Sequence, residues 1–313
     1  MQIPVDVIDS LKSIAPIRGF TTHRTLMTVG APVWNSKSRY LQPPSLIDPT
    51  RTGQQLGADN ALRTRVYIDG YNLYYGCLKN SPDNWLDVRA LSERILSNIP
   101  FEKDGKPIRF AFQTPGVKYF TAPILASFAK SADSVSCQSL YHTALSAYLD
   151  DKIEIIRGYH DAKPARARVW EEGKAARECR MIDVWKLGEK QSDVALALNT
   201  FSDAIRNEVD QVVVVTNDSD FAPAMRMIRQ HTQAIVGLIT PARYPRGKVN
   251  SELEKHAHWT RTHILDQELA MSHLPPLIRL KNKVVYKPWS WYPRPDLLIP
   301  IYEEAKRVRP HAC

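Results

Sequence analysis

The chain is short of the features that announce several common functions. Its four cysteines, Cys77, Cys137, Cys179 and Cys313, lie far apart with no CxxC pair among them. That argues against both a structural zinc and a disulfide framework, and it suits a reducing compartment. No apolar run approaches the roughly 18 residues of a membrane span, and no charged start is followed by an apolar signal core. The expectation is a soluble, cytoplasmic protein. No glycine-rich phosphate loop, dinucleotide fingerprint or Ser-His-Asp elbow is present, and His256, His258 and His263 fall on no metal-binding pattern.

Acidic residues are also in deficit. Lys and Arg number 42 against 33 Asp and Glu, a formal net charge of +9. Such a balance favours an anionic partner, with nucleic acid first among candidates. The 313 residues suffice for one large domain with extensions or for two small ones.

Composition divides the chain into three parts. Residues 1–62 are rich in Pro, Ser, Thr and Gly, with turn clusters at Gln42-Pro43-Pro44-Ser45 and Asp48-Pro49-Thr50. They read as a disordered or weakly ordered extension in which Val7, Ile8, Leu11 and Ile14 suit one short helix. Residues 63–272 alternate strand and helix patterns. Residues 273–313 form a basic tail rich in Pro and Trp, whose Trp289, Trp291 and Tyr292 suit either base stacking or packing against the domain.

Within the middle part, Val66-Tyr67-Ile68, Ile108 to Gln113, Ile153 to Ile156, Val212 to Val215 and Ala234 to Ile239 read as strands. Helices are expected at about Asp87 to Asn98, with Asp87 as its cap, Ser134 to Leu149, and Ser192 to Arg206. The last of these is expected to face the core with Val194, Ala197, Leu198, Phe201 and Ile205. Phe221, Ala224, Met225 and Ile228 recur at helical spacing after the fourth strand. Alternation of this kind implies an α/β fold with a parallel sheet and right-handed crossovers.

The stretch Val212 to Phe221, VVVVTNDSDF, is the most informative. Four β-branched residues predict a strand buried on both faces, and Asp218 and Asp220 stand where it hands over to a helix. At the carboxyl edge of such a sheet ligands bind. Asp69 follows its own strand and reaches the same edge, and Asp193 lies in the first turn of a crossover helix whose N-terminus returns there. Singly, Asp220 suits a helix cap with Ser219 as an equal candidate, Asp69 a turn before Gly70, and Asp193 a solvated first-turn acid. Together they place like charges on one rim, which a hard divalent ion relieves. Mg²⁺ or Mn²⁺ suits oxygen donors of this type.

Three segments resemble the signatures of one family. Val66 to Gly76 (VYIDGYNLYYG), Glu189 to Leu198 (EKQSDVALAL) and Thr216 to Phe221 (TNDSDF) are similar to those of the NYN domain, the branch of the PIN-like nuclease superfamily that includes the LabA-like bacterial proteins. Val117 to Ala122 also looks like a family segment. The resemblance spans about residues 64–260. It implies a PIN-like three-layer α/β/α fold, an acidic pocket for Mg²⁺ or Mn²⁺, and RNA cleavage. By position Asp69, Asp193 and Asp218 match the acidic metal ligands, Asp220 a supporting acid, and Asn72 the polar residue beside the first Asp; Ser219 is a further polar candidate.

The expected activity is thus that of a metal-dependent ribonuclease. The alternative is a regulatory or nucleic-acid-binding protein that kept the fold without catalysis. A third implication of the resemblance is NADH-dependent hydroxylation of a succinylpyridine in nicotine breakdown, since some bacterial relatives are so described. Within residues 157–190, Arg166, Arg168, Lys174, Arg177 and Lys190 are the candidate nucleic-acid contacts, on a β-excursion or a surface loop, with a solvated face as the alternative. Expected partners are RNA, single-stranded or structured, and a second copy in a homodimer.

Overall fold

The computed structural model describes residues 61–99, 102–103, 106–107, 109–244 and 248–293. The expected N-terminal extension up to residue 60, its short helix, and the tail beyond residue 293 lie outside these residues. The described chain runs β1 (Ala61–Asp69), α1 (Gly70–Leu73), α2 (Val88–Ser97), β2 (Arg109–Thr121), α3 (Ser134–Leu149), β3 (Ile153–Arg157), β4 (Tyr159–Arg168), β5 (Met181–Lys190), α4 (Ser192–Ile205), β6 (Gln211–Val215), α5 (Ala222–His231), β7 (Ile235–Ile239), β8 (Trp259–Arg261), β9 (Leu277–Arg279) and β10 (Val284–Tyr286).

Six strands form one sheet in the order β8–β7–β6–β1–β2–β3, and every neighbouring pair is parallel. Helices cover both faces, giving the three-layer α/β/α arrangement of a PIN-like fold. The chain builds outward from β1 through β2 to β3, then returns to β6 on the other side of β1. The switch point therefore lies between β1 and β6, where their carboxyl ends open a crevice.

Alternation along the strands supplies the two cores. Val66, Ile68, Val213 and Val215 face the layer of α2 and α3, with Leu91, Tyr141 and Leu145. Tyr67, Val212 and Val214 face α4 and α5, with Leu196, Met225 and Ile228. The run VVVV is thus buried on both sides, as its composition implies. Asp87 caps α2, its Oδ1 accepting from the N–H groups of Arg89 and Ala90 at 3.0 and 2.9 Å.

Several elements differ from the sequence reading. β1 begins at Ala61, ahead of the apolar Val66-Tyr67-Ile68, because its two arginines are paired: Arg63 with Asp210 at 2.8 Å and Arg65 with Asp203 at 2.7 Å. β2 runs thirteen residues, so Val117 to Thr121 continue the strand expected to end at Gln113. Residues 157–190 are the excursion rather than a loop: β4 and β5 form an antiparallel ribbon over ten residue pairs. The described part of the tail packs back, with Leu274, Ile278 and Val285 in the core. Trp291 lies against Trp85 and Tyr141, at ring distances of 6.1 and 5.7 Å, which favours packing over base stacking for this residue.

The face of α4 is the main correction. Val194, Leu198 and Ile205 are 63%, 62% and 52% exposed, while Leu196, Thr200, Asp203 and Ala204 are buried. Ala197 and Phe201 are partly buried against the second core. The reason is a polar cluster beneath the helix. Asp203 accepts hydrogen bonds from Arg65 Nη1 at 2.7 Å, from the Tyr67 hydroxyl at 2.7 Å and from Lys118 Nζ at 3.1 Å. Burial works to raise the Asp203 pKa, but the bonds from Lys118, Tyr67 and Arg65 prevail and hold it below the ordinary carboxylate value.

Asp203→Asn removes the one buried carboxylate that Arg65 and Lys118 share, leaving them only the more exposed Glu208 at 3.1 Å and Glu154 at 3.8 Å, so it is expected to cost about 3–5 kcal/mol in urea unfolding at neutral pH. Because the folded pKa is depressed, this contribution is present above the unfolded value of about 4 and is lost as pH falls through the folded one. The gap between wild type and variant should therefore close in acid. A variant as stable as wild type at pH 7 would show that the cluster does not hold the helix.

Candidate active site

The crevice between β1 and β6 is built by local chain chemistry. Asp69 ends β1 and caps α1, its Oδ1 accepting from the Asn72 N–H at 3.0 Å. The Asn72 side-chain amide donates to Asp69 Oδ2 at 2.7 Å, and its carbonyl accepts from the Asn217 N–H at 3.2 Å. Gly70 permits the close turn: a Cβ there would stand 2.7 Å from the Phe120 carbonyl oxygen.

Thr216, fully buried after β6, joins two acids. Its hydroxyl donates to Asp69 Oδ2 at 3.1 Å and accepts from the Asp218 N–H at 3.2 Å. Asp218 Oδ1 accepts from the Asp220 N–H at 3.0 Å and so caps the short turn Ser219–Phe221. The helix α5 itself has no side-chain cap, so neither Asp220 nor Ser219 fills the capping role considered for them, and both are exposed.

Asp193 arrives from a third segment. Gln191, two residues before it, adopts a left-handed conformation with φ 74° and turns the chain from β5 into α4. Glu189, near the end of β5, is a fourth contributor. Partial desolvation raises the Asp193 pKa first, and the charges of Asp69, Asp218 and Asp220 raise it further. Asp69 is raised by burial, against its hydrogen bonds, with Asp218 adding to the rise. Glu189 is raised by burial, with Asp193 and Asp69 contributing. Each of Asp69, Asp193 and Glu189 therefore has its pKa raised in part by a neighbouring acid across the rim.

Among the described residues, no three His, Cys, Asp or Glu side chains already stand close enough to wrap a bare ion. A hydrated Mg²⁺ or Mn²⁺ demands less of a site, since it keeps several waters and takes one or two carboxylates directly. Thr216, Glu189 and Asn217 lie inside the family-like segments, but the sequence assigned them no role of their own. The signal for Thr216 was its place as the first polar residue after the valine run.

The basic candidates lie on or beside the β4–β5 ribbon. Arg166 pairs with Asp183 at 3.6 Å, Lys174 with Glu171 at 2.5 Å and Arg177 with Glu178 at 3.5 Å. Arg168 donates to the carbonyls of Arg177 and Cys179. These four lie toward the far end of the ribbon, whereas Lys190 stands across from Tyr159 at its base, next to Glu189. Histidines assemble no rival centre among the described residues: His258 accepts from the Val236 N–H at 2.9 Å, and burial lowers its pKa to about 4.

Beside the crevice lies a cleft of about 1030 Å³. Asn72 and Asn217 line it on the side nearest Asp69, and Tyr71, Tyr75, Lys79, Arg243 and Lys248 contribute further walls. Among the described residues, no helix is long and apolar enough to cross a membrane.

A profile of the NYN domain matches residues 63–264. The chain is 46% identical over 254 residues to 6-hydroxy-3-succinoylpyridine 3-monooxygenase of Pseudomonas putida, an alignment covering 79% of this chain and 81% of that protein. A solved structure of a protein of unknown function from Vibrio parahaemolyticus aligns with 68% of this chain and 98% of its own, at 18% identity and a TM-score of 0.39.

Thr216→Val removes a hydrogen bond that lowers the Asp69 pKa, so in metal-free protein the carboxyl should titrate at higher pH than in wild type. Carbon-detected NMR titration of labelled aspartate measures this. An unmoved Asp69 titration would show that the hydroxyl does not hold the carboxylate.

Proposed function

The chain belongs to the NYN domain family, and from that premise we propose that it is a metal-dependent ribonuclease hydrolysing RNA phosphodiester bonds at the acidic crevice. The observation that carries this reading is the set of mutually repelling carboxylates at the switch point, with the Thr216 hydroxyl tying the Asp69 carboxylate to the backbone N–H of Asp218. Among Asp69, Asp193 and Asp218, one or two would ligate a hydrated Mg²⁺ or Mn²⁺ directly and the rest would reach it through its waters. A bound ion supplies a water of lowered pKa and offsets charge on the phosphate.

The chain's own groups do the positioning. Asn72 and Thr216 fix the Asp69 carboxylate, Asp220 stands ready to orient a water, and Ser219 offers a hydroxyl to water or phosphate. Lys190, at the base of the ribbon, would meet the RNA backbone near the rim, and Arg166, Arg168, Lys174 and Arg177 would meet it only further along the ribbon, releasing counterions. The expected products carry 5′-phosphate and 3′-hydroxyl ends. A cytoplasmic setting suits Cys77, Cys137 and Cys179, which are free thiols.

A second reading is favoured by the 46% identity to the pyridine monooxygenase: hydroxylation of a hydroxylated succinoylpyridine at the same face. Consumption of NADH that depends on 6-hydroxy-3-succinoylpyridine supports that reading and counts against the first.

For the ribonuclease, Asp69→Asn and Asp218→Asn should each reduce Mn²⁺-dependent cleavage of single-stranded RNA at least about 100-fold, an order-of-magnitude expectation for loss of a metal-site carboxylate. RNA binding in a filter assay should persist. Unchanged cleavage in the double variant would exclude this site, and wild-type binding without cleavage would assign a regulatory role instead.

A further inference from the structure

We propose that the cleft beside the acidic crevice is a nucleotide subsite, which takes the base and phosphate next to the scissile bond of a single-stranded RNA. The inference rests on the ribonuclease reading for its substrate, but its observations are separate. The π-helical turn Tyr74–Leu78 follows α1 directly and packs tightly on Pro241: a Cβ at Gly76 would stand 1.7 Å from the Pro241 carbonyl oxygen. Such turns often occur at functional sites.

This close approach presents Tyr75 to the cleft. The residue is 57% exposed, and its ring stacks on Tyr71 with centroids 6.1 Å apart and planes inclined by 22°. The Lys79 ammonium lies over the Tyr75 ring at 5.2 Å from the centroid. A flexible cation covering an exposed aromatic face can be exchanged for a nucleobase, which stacks on the ring while the ammonium moves to the phosphate.

The other cations of the cleft divide by role. Arg243 is held by Asp83, Asp266 and the Cys77 carbonyl, so it forms a wall. Lys79 and Lys248 form no ion pair with an acid among the described residues and remain available to an anion. Asn72 is shared by both spaces, lining the cleft and donating to Asp69. A nucleotide seated here would therefore lead its neighbouring phosphate toward the acids.

Binding is measured with a fluorescent hexaribonucleotide in EDTA, so that cleavage does not intervene. Tyr75→Ala should weaken binding about tenfold, within the range of one lost base stack. Tyr75→Phe should retain it, and Lys79→Gln should reduce the salt dependence by about one counterion. Adenosine monophosphate should compete better than ribose 5-phosphate. Equal binding by wild type and Tyr75→Ala overturns the subsite even when Mn²⁺-dependent cleavage is intact. Tyr75-dependent binding by a wild type that never cleaves RNA leaves the subsite standing and overturns the ribonuclease reading.

Discussion

Asp203 is the group on which the arrangement depends. One buried carboxylate answers two buried cations and a tyrosine hydroxyl, and these come from β1 and β2 while Asp203 comes from α4. Burying Arg65 and Lys118 without it would be strongly unfavourable, so the helix cannot slide along the sheet without breaking the compensation. The same helix carries Asp193 in its first turn, and the face of β1 that carries Arg65 and Tyr67 leads into Asp69. Fixing α4 against β1 thus also fixes two acids of the rim relative to each other.

The crevice itself follows from topology. With strand order reversing between β1 and β6, no crossover helix fills the space beyond their carboxyl ends. Asp69 and Asp218 reach it as cap residues of the turns that follow their strands, and Thr216 ties them through a single hydroxyl. Capping leaves these acids open to a further ligand, because a carboxylate that accepts a backbone N–H retains lone pairs for another partner. The hydrogen bonds hold orientation, while desolvation and mutual repulsion leave Asp69, Asp193 and Glu189 more basic than usual.

Membership of the NYN family does not select among chemistries. An acidic rim is suited to phosphodiester hydrolysis, whereas the relative from Pseudomonas putida bears the name of a pyridine monooxygenase. The cleft next to the rim has features that serve either kind of ligand: tyrosine rings, lysines and an asparagine wall. Fold and site are separate inferences, and only the chemistry performed at the rim distinguishes the two readings.

The sequence by itself determined the α/β class, the buried valine strand, the helix capped by Asp87 and the convergence of Asp69, Asp193 and Asp218 on one edge. These follow from local periodicity and from the direction of strands and crossovers, both visible in one dimension. Tertiary structure alone decided which face of α4 is buried, because apolar spacing cannot reveal a helix that packs Asp203 onto Arg65 and Lys118. It also decided that Asp218 rather than Asp220 caps its turn, that Thr216 links the acids, and that Arg166, Arg168, Lys174 and Arg177 sit toward the far end of a ribbon. The α4 face, the Thr216 link and the ribbon depend on contacts between residues far apart in the chain, where pairing and desolvation outweigh local preference. The cap at Asp218 is local, but two acids two residues apart offer the same acceptor, and only the folded backbone selects between them.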